Sequence, residues 1–141
     1  LNPPGNLGSM IKGIRNGYYF NIGGGNSRKS MVLADDIAKY ILKAATFGGT
    51  YNLTDSFNPT FNELSTSISK QSGKTFVPNL PYWLANILAK FGDLFGNSFP
   101  INSNKLSKIN STLTFDDSKA KDTFGWEPKS ILNDFKLHED A

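Results

Sequence analysis

The chain has 141 residues, of which 38% are hydrophobic and 19% charged, the make-up of a globular protein rather than a disordered or fibrous one. Fifteen Lys and Arg against twelve Asp and Glu leave a charge of +3, a mild and scattered excess that suits one anionic small ligand better than a nucleic-acid track. With no cysteine and a single histidine, His138, disulfides and Cys- or His-built metal sites are excluded, so no metal ligand is expected.

No apolar stretch approaches the ~20 residues of a membrane span, and no basic-then-apolar leader opens the chain, so a cytoplasmic setting without a membrane span is expected. Leu1, Asn2, Pro3, Pro4, Gly5 and Asn6 read like the interior of a loop. The expectation is a single domain over 1–141, cut from a longer polypeptide.

Residues 3–8 are turn-rich. Met10, Ile11 and Ile14 then recur at helical spacing up to Asn16 and Gly17. Tyr18, Tyr19, Phe20, Asn21 and Ile22 predict a short strand, followed by a turn over 23–27 and a second strand or extended segment over 30–33. Asp35 and Asp36 open a helix whose expected buried face is Ile37, Tyr40, Ile41, Ala44 and Ala45. After Gly48 and Gly49, residues 50–54 predict another strand.

Thr60 with Glu63 forms a capping box, Phe61, Leu64 and Ile68 continue the apolar stripe, and Gly73 closes that helix. A strand candidate over 75–77 precedes Pro81, which starts a helix carrying Leu84, Ile87, Leu88, Phe91, Leu94 and Phe95 on to Gly96. Its polar side holds little charge (Asn86, Lys90, Asp93), which favours a core helix or one facing a partner over a membrane-surface helix. A short helix over 102–109 and an extended segment over 112–115 follow. Asp116 and Asp117 cap a helix burying Ala120 and Phe124, stopped by Gly125 with Pro128 beyond, and Ile131, Leu132 and Phe135 suggest a last amphipathic turn. Strands and helices alternate, so the class is α/β, or α+β with a small mixed sheet and flanking helices.

Gly23, Gly24 and Gly25 invite a dinucleotide-loop reading. That fingerprint needs a third glycine where Arg28 stands and a helix after it, so the run reads as a turn and no cofactor-binding residue is assigned. Adjacent carboxylates at 35–36 and 116–117 point about 100° apart on a helix and do not converge on one atom. They read as caps. Arg28 leaves the glycine turn for an extended segment, where a planar guanidinium suits bidentate phosphate binding. Lys105 and Lys108 share one helical face within reach of an anion.

Four segments, in order, resemble the extended short-chain dehydrogenase/reductase family, in particular its NAD(P)-dependent sugar-nucleotide epimerases and dehydratases. Residues 27–38 (SRKSMVLADDIA) resemble its R-x-hydrophobic-hydrophobic-x-V-x-D-hydrophobic-A segment, and 49–54 (GTYNLT) its G-x-x-Y-N-hydrophobic strand. Residues 58–73 resemble the helix that follows. Phe115 and Asp116, then Ser118, Lys119 and Ala120, then Phe124 to Pro128, resemble its D-x-S-K-A-x-x-x-L-G-W-x-P close.

The resemblance implies the C-terminal, substrate-binding part of an extended Rossmann-type enzyme whose N-terminal dinucleotide domain is a missing partner. The parent would be a UDP-sugar 4-epimerase-like isomerase of polysaccharide biosynthesis, working through a 4-keto intermediate with NAD or NADP. It further implies that Arg28 contacts the diphosphate, that Asn6 and Leu7 belong to the loop and helix start meeting the phosphates, and that Phe20 and Asn21 border the base. The family's second basic contact falls by counting on Leu106, a departure, which nominates Lys105 or Lys108 beside it.

The family's glycine-rich loop and Tyr-x-x-x-Lys pair are absent from this chain, so no catalytic residue is assigned, no cofactor is expected to bind it, and the fragment alone is expected to be inactive. Homodimers are a further family expectation. Dehydratase or reductase activity, including on hydroxysteroid-type substrates, and a non-catalytic binding or interaction domain are the alternatives.

Overall fold

The computed structural model describes residues 5–95 and 101–137. It is mixed α/β: helices dominate, and among the described residues the one sheet has two short parallel strands. His138, Gly96 and the first four residues of the expected opening loop lie outside the described residues. The chain divides into two compact units, one built from 1–27, 60–112 and 137–141, the other from 28–59 and 113–136. The chain passes between them at Ser27/Arg28, Pro59/Thr60, Thr112/Leu113 and Lys136/Leu137, none of which carries a linker-like composition.

The first unit opens with α1 (Gly5–Arg15), which starts earlier than the turn-rich reading of 3–8 allows and buries Met10, Ile11 and Ile14. The expected strand over 18–22 shrinks to β1 (Asn21–Ile22), because Tyr18 and Tyr19 donate their backbone N–H groups to the Gly13 carbonyl at the end of α1 instead. A 3-10 turn (Gly23–Gly25) follows, all three glycines at positive φ. At Gly25 only glycine fits: its φ is +64, and an added Cβ would stand 2.9 Å from the Asn62 nitrogen and 3.0 Å from the Asn21 side chain.

α3 (Phe61–Gln71) begins at the capping box the sequence announces. Thr60 Oγ1 accepts from Glu63 N at 3.1 Å, and Glu63 Oε2 accepts from Thr60 N at 2.9 Å. Leu64 and Ile68 are fully buried on the side of α3 that meets α1. The strand expected at 75–77 lies further on, at β2 (Asn79–Leu80), where Asn79 pairs with Asn21 and Leu80 with Ile22.

α4 (Tyr82–Asp93) and α5 (Ser103–Asn110) complete the unit around a cluster of Ile22, Ala85, Ala89 and Leu106. Of the two readings of this helix, wholly in the core or facing a partner, the first does not hold for its bulky stripe. α4 buries its small residues Ala85, Ala89 and Gly92 and leaves Ile87, Leu88 and Phe91 exposed, with Leu94 and Phe95 exposed just after it, because α5 lies against the small face.

In the second unit, α2 (Ala34–Phe47) faces α6 (Ser118–Phe124), with α7 (Ile131–Asp134) beyond. Tyr40, Ala120, Phe124 and Trp126 form its core, backed by Val32, Ala44, Tyr51 and Leu53. Each fully buried large side chain contributes on the order of 1.5–3 kcal/mol. Ile41 and Ala45, expected inside, are exposed, while Asp36 in the first turn is buried, its Oδ2 accepting from Lys129 N at 2.8 Å. Residues 50–54 are extended without ladder partners, and the segment after Arg28 is tied by an isolated parallel bridge, Lys29 with Leu113. α6 ends in a left-handed Gly125 (φ +66), as its sequence predicts.

Candidate functional site

Arg28 stands on the exposed side of the second unit, and its surroundings are built by a polar loop over 55–59. Asp55, buried, accepts at Oδ1 from Phe57 N (3.2 Å) and Asn58 N (2.9 Å), while its own N–H donates to Met31 O at 2.7 Å. Those bonds hold Ser56 (φ +61) and Asn58 (φ +52) in the left-handed region, which asparagine tolerates far better than most residues. Serine gains nothing there by itself. Its cost is offset because Ser56 Oγ donates to Asp117 Oδ2 at 2.6 Å.

The loop so fixed presents the Asn58 carbonyl to Arg28, whose Nη1 donates to it at 2.9 Å. Ser30 locks the other side: its Oγ donates to Asn58 Oδ1 at 2.6 Å and accepts from Phe115 N at 2.8 Å. Leu113 N donates to the Arg28 carbonyl at 2.9 Å, so main chain and guanidinium are both held. Asp55, Ser30 and Asn58 are the positioning residues that sequence reasoning did not single out. The Asn58-Pro59 pair and the Asp55-Ser56 step are turn signals that point to such a loop.

Asp117 supports the loop from beneath. Burial pushes its carboxyl up, but hydrogen bonds from Ser56, Lys121 and Thr54 outweigh that and leave it below the usual carboxylate range. Asp116 is also held below that range, by hydrogen bonds from the Ser118 side chain and backbone. It accepts from the first residue of α6, but the capping expected of the two carboxylate pairs is not otherwise seen. The N-cap residues are Asp117 and, for α2, Leu33, neither with a side-chain cap bond, because Asp117 is turned onto Ser56, Thr54 and Lys121 and Asp36 onto Lys129 N.

The remaining nominees all belong to the other unit. Asn6 and Leu7 lie in the first turn of α1, Asn6 exposed and Leu7 half-buried. Phe20 is 42% exposed just before β1. Asn21 is buried, with Nδ2 donating to Asn62 Oδ1 (3.2 Å) and Ser65 Oγ (3.0 Å), so its side chain works in tying β1 to α3. Lys105 and Lys108 sit on α5, Lys105 half-buried and Lys108 exposed. Leu106, where the family pattern has a basic residue, is a core residue at 2% exposure.

The glycine run offers no cradle for a dinucleotide. Gly25 is filled in behind by Asn21 and Asn62, Gly24 N donates to Asn79 Oδ1 at 2.7 Å, and the next segment is extended rather than helical. These residues do not fit that group. Among the tyrosines, burial pushes the Tyr19 phenol up to about 12, opposite to what a proton-abstracting tyrosinate needs. Among the described residues no helix is long and apolar enough to cross a membrane, and no cluster of His, Asp and Glu is arranged to hold a metal.

No family model matches the chain, and no solved structure matches it. It is similar to an uncharacterized protein, y4nL, of Sinorhizobium fredii (strain NBRC 101917 / NGR234), at 27% identity over 147 residues that cover 94% of this chain and 41% of that protein. The chain thus spans about two-fifths of the length of the curated relative it matches.

Proposed function

We propose that this chain is the substrate-side portion of an NAD(P)-dependent enzyme acting on a nucleoside-diphosphate sugar, with Arg28 as a contact to the diphosphate. One observation carries the reading. Arg28 Nη1 is fixed on the carbonyl of Asn58, a residue held at its side chain by Ser30 and at its N–H by Asp55, so an exposed guanidinium has a set orientation before any ligand arrives. Preorganisation of that kind lowers the entropic cost of gripping a phosphate. The four ordered motifs support the enzyme class, with C4 epimerisation of a UDP- or dTDP-linked sugar as the leading reaction. The dinucleotide chemistry belongs to sequence outside this chain, because the glycine run here does not fit it. Roles for Asn6, Leu7, Phe20, Asn21, Lys105 and Lys108 rest on the resemblance alone.

Calorimetric titration of UDP-glucose and dTDP-glucose into the parent polypeptide tests the reading. Arg28→Ala is expected to weaken binding about tenfold or more, since hydrogen bonds to charged groups contribute about 1.5–3 kcal/mol. Arg28→Lys is expected to recover only part of it, as an ammonium lacks the planar fork. Unchanged affinity in Arg28→Ala would remove Arg28 as the contact to the diphosphate. No binding of either sugar nucleotide removes the substrate assignment.

A further inference from the structure

Among the described residues, only two other than glycine have a positive φ, and both lie in the loop beside Arg28: Ser56 (φ +61) and Asn58 (φ +52). Asparagine visits that region at little penalty, whereas serine stays there only when its surroundings over-determine it. The surroundings of Ser56 converge on one carboxylate. Its Oγ donates to Asp117 Oδ2 at 2.6 Å. Its N–H donates to Thr54 Oγ1 at 2.9 Å, and that hydroxyl donates to the same Asp117 oxygen at 2.9 Å. Both donors of the strained residue therefore end on Asp117, one directly and one through a hydroxyl relay.

Asp117 is itself firmly placed. It is buried at the start of α6, and its Oδ1 takes Lys121 Nζ at 2.9 Å one turn on. Thr54 is anchored in turn, its carbonyl accepting from Trp126 Nε1 at 2.9 Å. From this base the loop runs two residues past Ser56 to the Asn58 carbonyl, which accepts from Arg28 Nη1 at 2.9 Å. Asp55 shapes the same loop through the N–H groups of Phe57 and Asn58, so the two carboxylates divide the task and Asp117 carries Ser56. Without Asp117 the serine relaxes out of the left-handed region, and the carbonyl that aims Arg28 turns with the backbone. A carboxylate could only repel a diphosphate through space, so a favourable contribution from Asp117 has to pass through the loop. We propose that Asp117 is a positioning residue for anion binding by Arg28, acting through Thr54, Ser56 and the Asn58 carbonyl. The inference rests on the reading of Arg28 as a diphosphate contact and adds the residue that sets how well that contact is made.

A cycle of substitutions separates this role from a general loss of packing. Titration of UDP-glucose into the parent polypeptide is expected to show Asp117→Ala and Ser56→Ala each weakened about fivefold or more, with unchanged far-UV circular dichroism. Ser56→Ala alters an exposed residue and keeps the test open should Asp117→Ala fail to fold. Ser56→Gly is expected to lose about twofold or less, because glycine adopts a φ of +61 unaided. In that background Asp117→Ala should cost about twofold or less, whereas a merely structural Asp117 would cost the same in both backgrounds. A ligand-free readout accompanies the titration. The chain has two arginines, Arg15 and Arg28, so NMR of the full chain with 15N-labelled arginine resolves the Arg28 guanidinium, assigned by its absence from Arg28→Lys. Slow rotation of the hydrogen-bonded Nη1 group is expected in the parent chain and in Ser56→Gly, and fast rotation in Asp117→Ala and Ser56→Ala. Unchanged binding by Asp117→Ala overturns the proposal. Tighter binding does so too, in favour of plain charge repulsion, as does an Arg28 signal indifferent to Asp117. If no sugar nucleotide binds while the Arg28 signal still responds to Asp117, the diphosphate reading fails and the positioning of Arg28 stands.

Discussion

Replacing Trp126 with phenylalanine separates two contributions that the second unit combines in one residue. The indole is 1% exposed, stands edge-on to Tyr40 with ring centroids 5.0 Å apart, and donates from Nε1 to the Thr54 carbonyl at 2.9 Å. A phenyl ring keeps the edge-on aromatic contact. It removes the donor, which leaves a buried carbonyl acceptor without its partner at a cost of about 1–3 kcal/mol. It also withdraws several ring atoms, and the lost burial plus the void adds on the order of 1 kcal/mol. The expected loss is therefore about 2–4 kcal/mol, against about 3–5 kcal/mol for Trp126→Ala. Urea unfolding followed by far-UV circular dichroism reads it. At a slope of about 1–3 kcal/mol per M, a loss of 3 kcal/mol moves the midpoint by about 1–3 M. A Trp126→Phe midpoint indistinguishable from the parent's would refute the assignment of the Thr54 bond as a main tie of this unit.

Gly25→Ala is expected to destabilise the first unit by more than about 2 kcal/mol, because a positive φ of +64 combines with a backbone approach of 2.9 Å; thermal melts of the variant beside Gly48→Ala, where nothing lies within 4 Å, separate clash from backbone strain. Thr60→Ala should cost about 1 kcal/mol by removing both capping-box contacts of its hydroxyl, measured as a lowered urea midpoint. Asp117 gives a signed pH dependence. Its folded pKa lies below the unfolded value of about 3.9, so its contribution is present above that value and disappears as pH falls through the folded pKa. Acid titration of stability should therefore show a falling limb below about pH 4 that is blunted in Asp117→Asn.

Elements whose signals are local were legible from the residues. The Thr60–Glu63 box, the acidic start of α2, Pro81 before α4 and Gly125 after α6 each stand where the sequence puts them, because caps and stops act over one turn. Strand readings fared worse. Residues 18–22 and 50–54 have β-prone side chains, but a strand exists only where a partner ladder does. Tyr18 and Tyr19 bond back to Gly13, while Thr54 and Asp55 are held through side chains and an isolated backbone contact. The face of α4 misled for a different reason. Hydrophobic periodicity locates an apolar stripe without saying whether the stripe faces the core, and here the core chose the small residues. At the candidate site, the sequence shows only that an arginine stands at position 28, whereas the loop that orients it depends on contacts across tens of residues that spacing does not reveal.

The seam between α4 and α5 also has a bearing on how this sequence can drift. Where a helix ordinarily guards its bulky positions and lets its alanines vary, here the order of tolerance is inverted. A library selected only for folding should keep 85, 89 and 92 as Ala, Gly or Ser, since a larger group would wedge the two helices apart. Positions 83, 91 and 94 should accept nearly any polar substitute under that selection. Retention of large apolar groups there in natural variants would then be a signature of selection for something other than the fold.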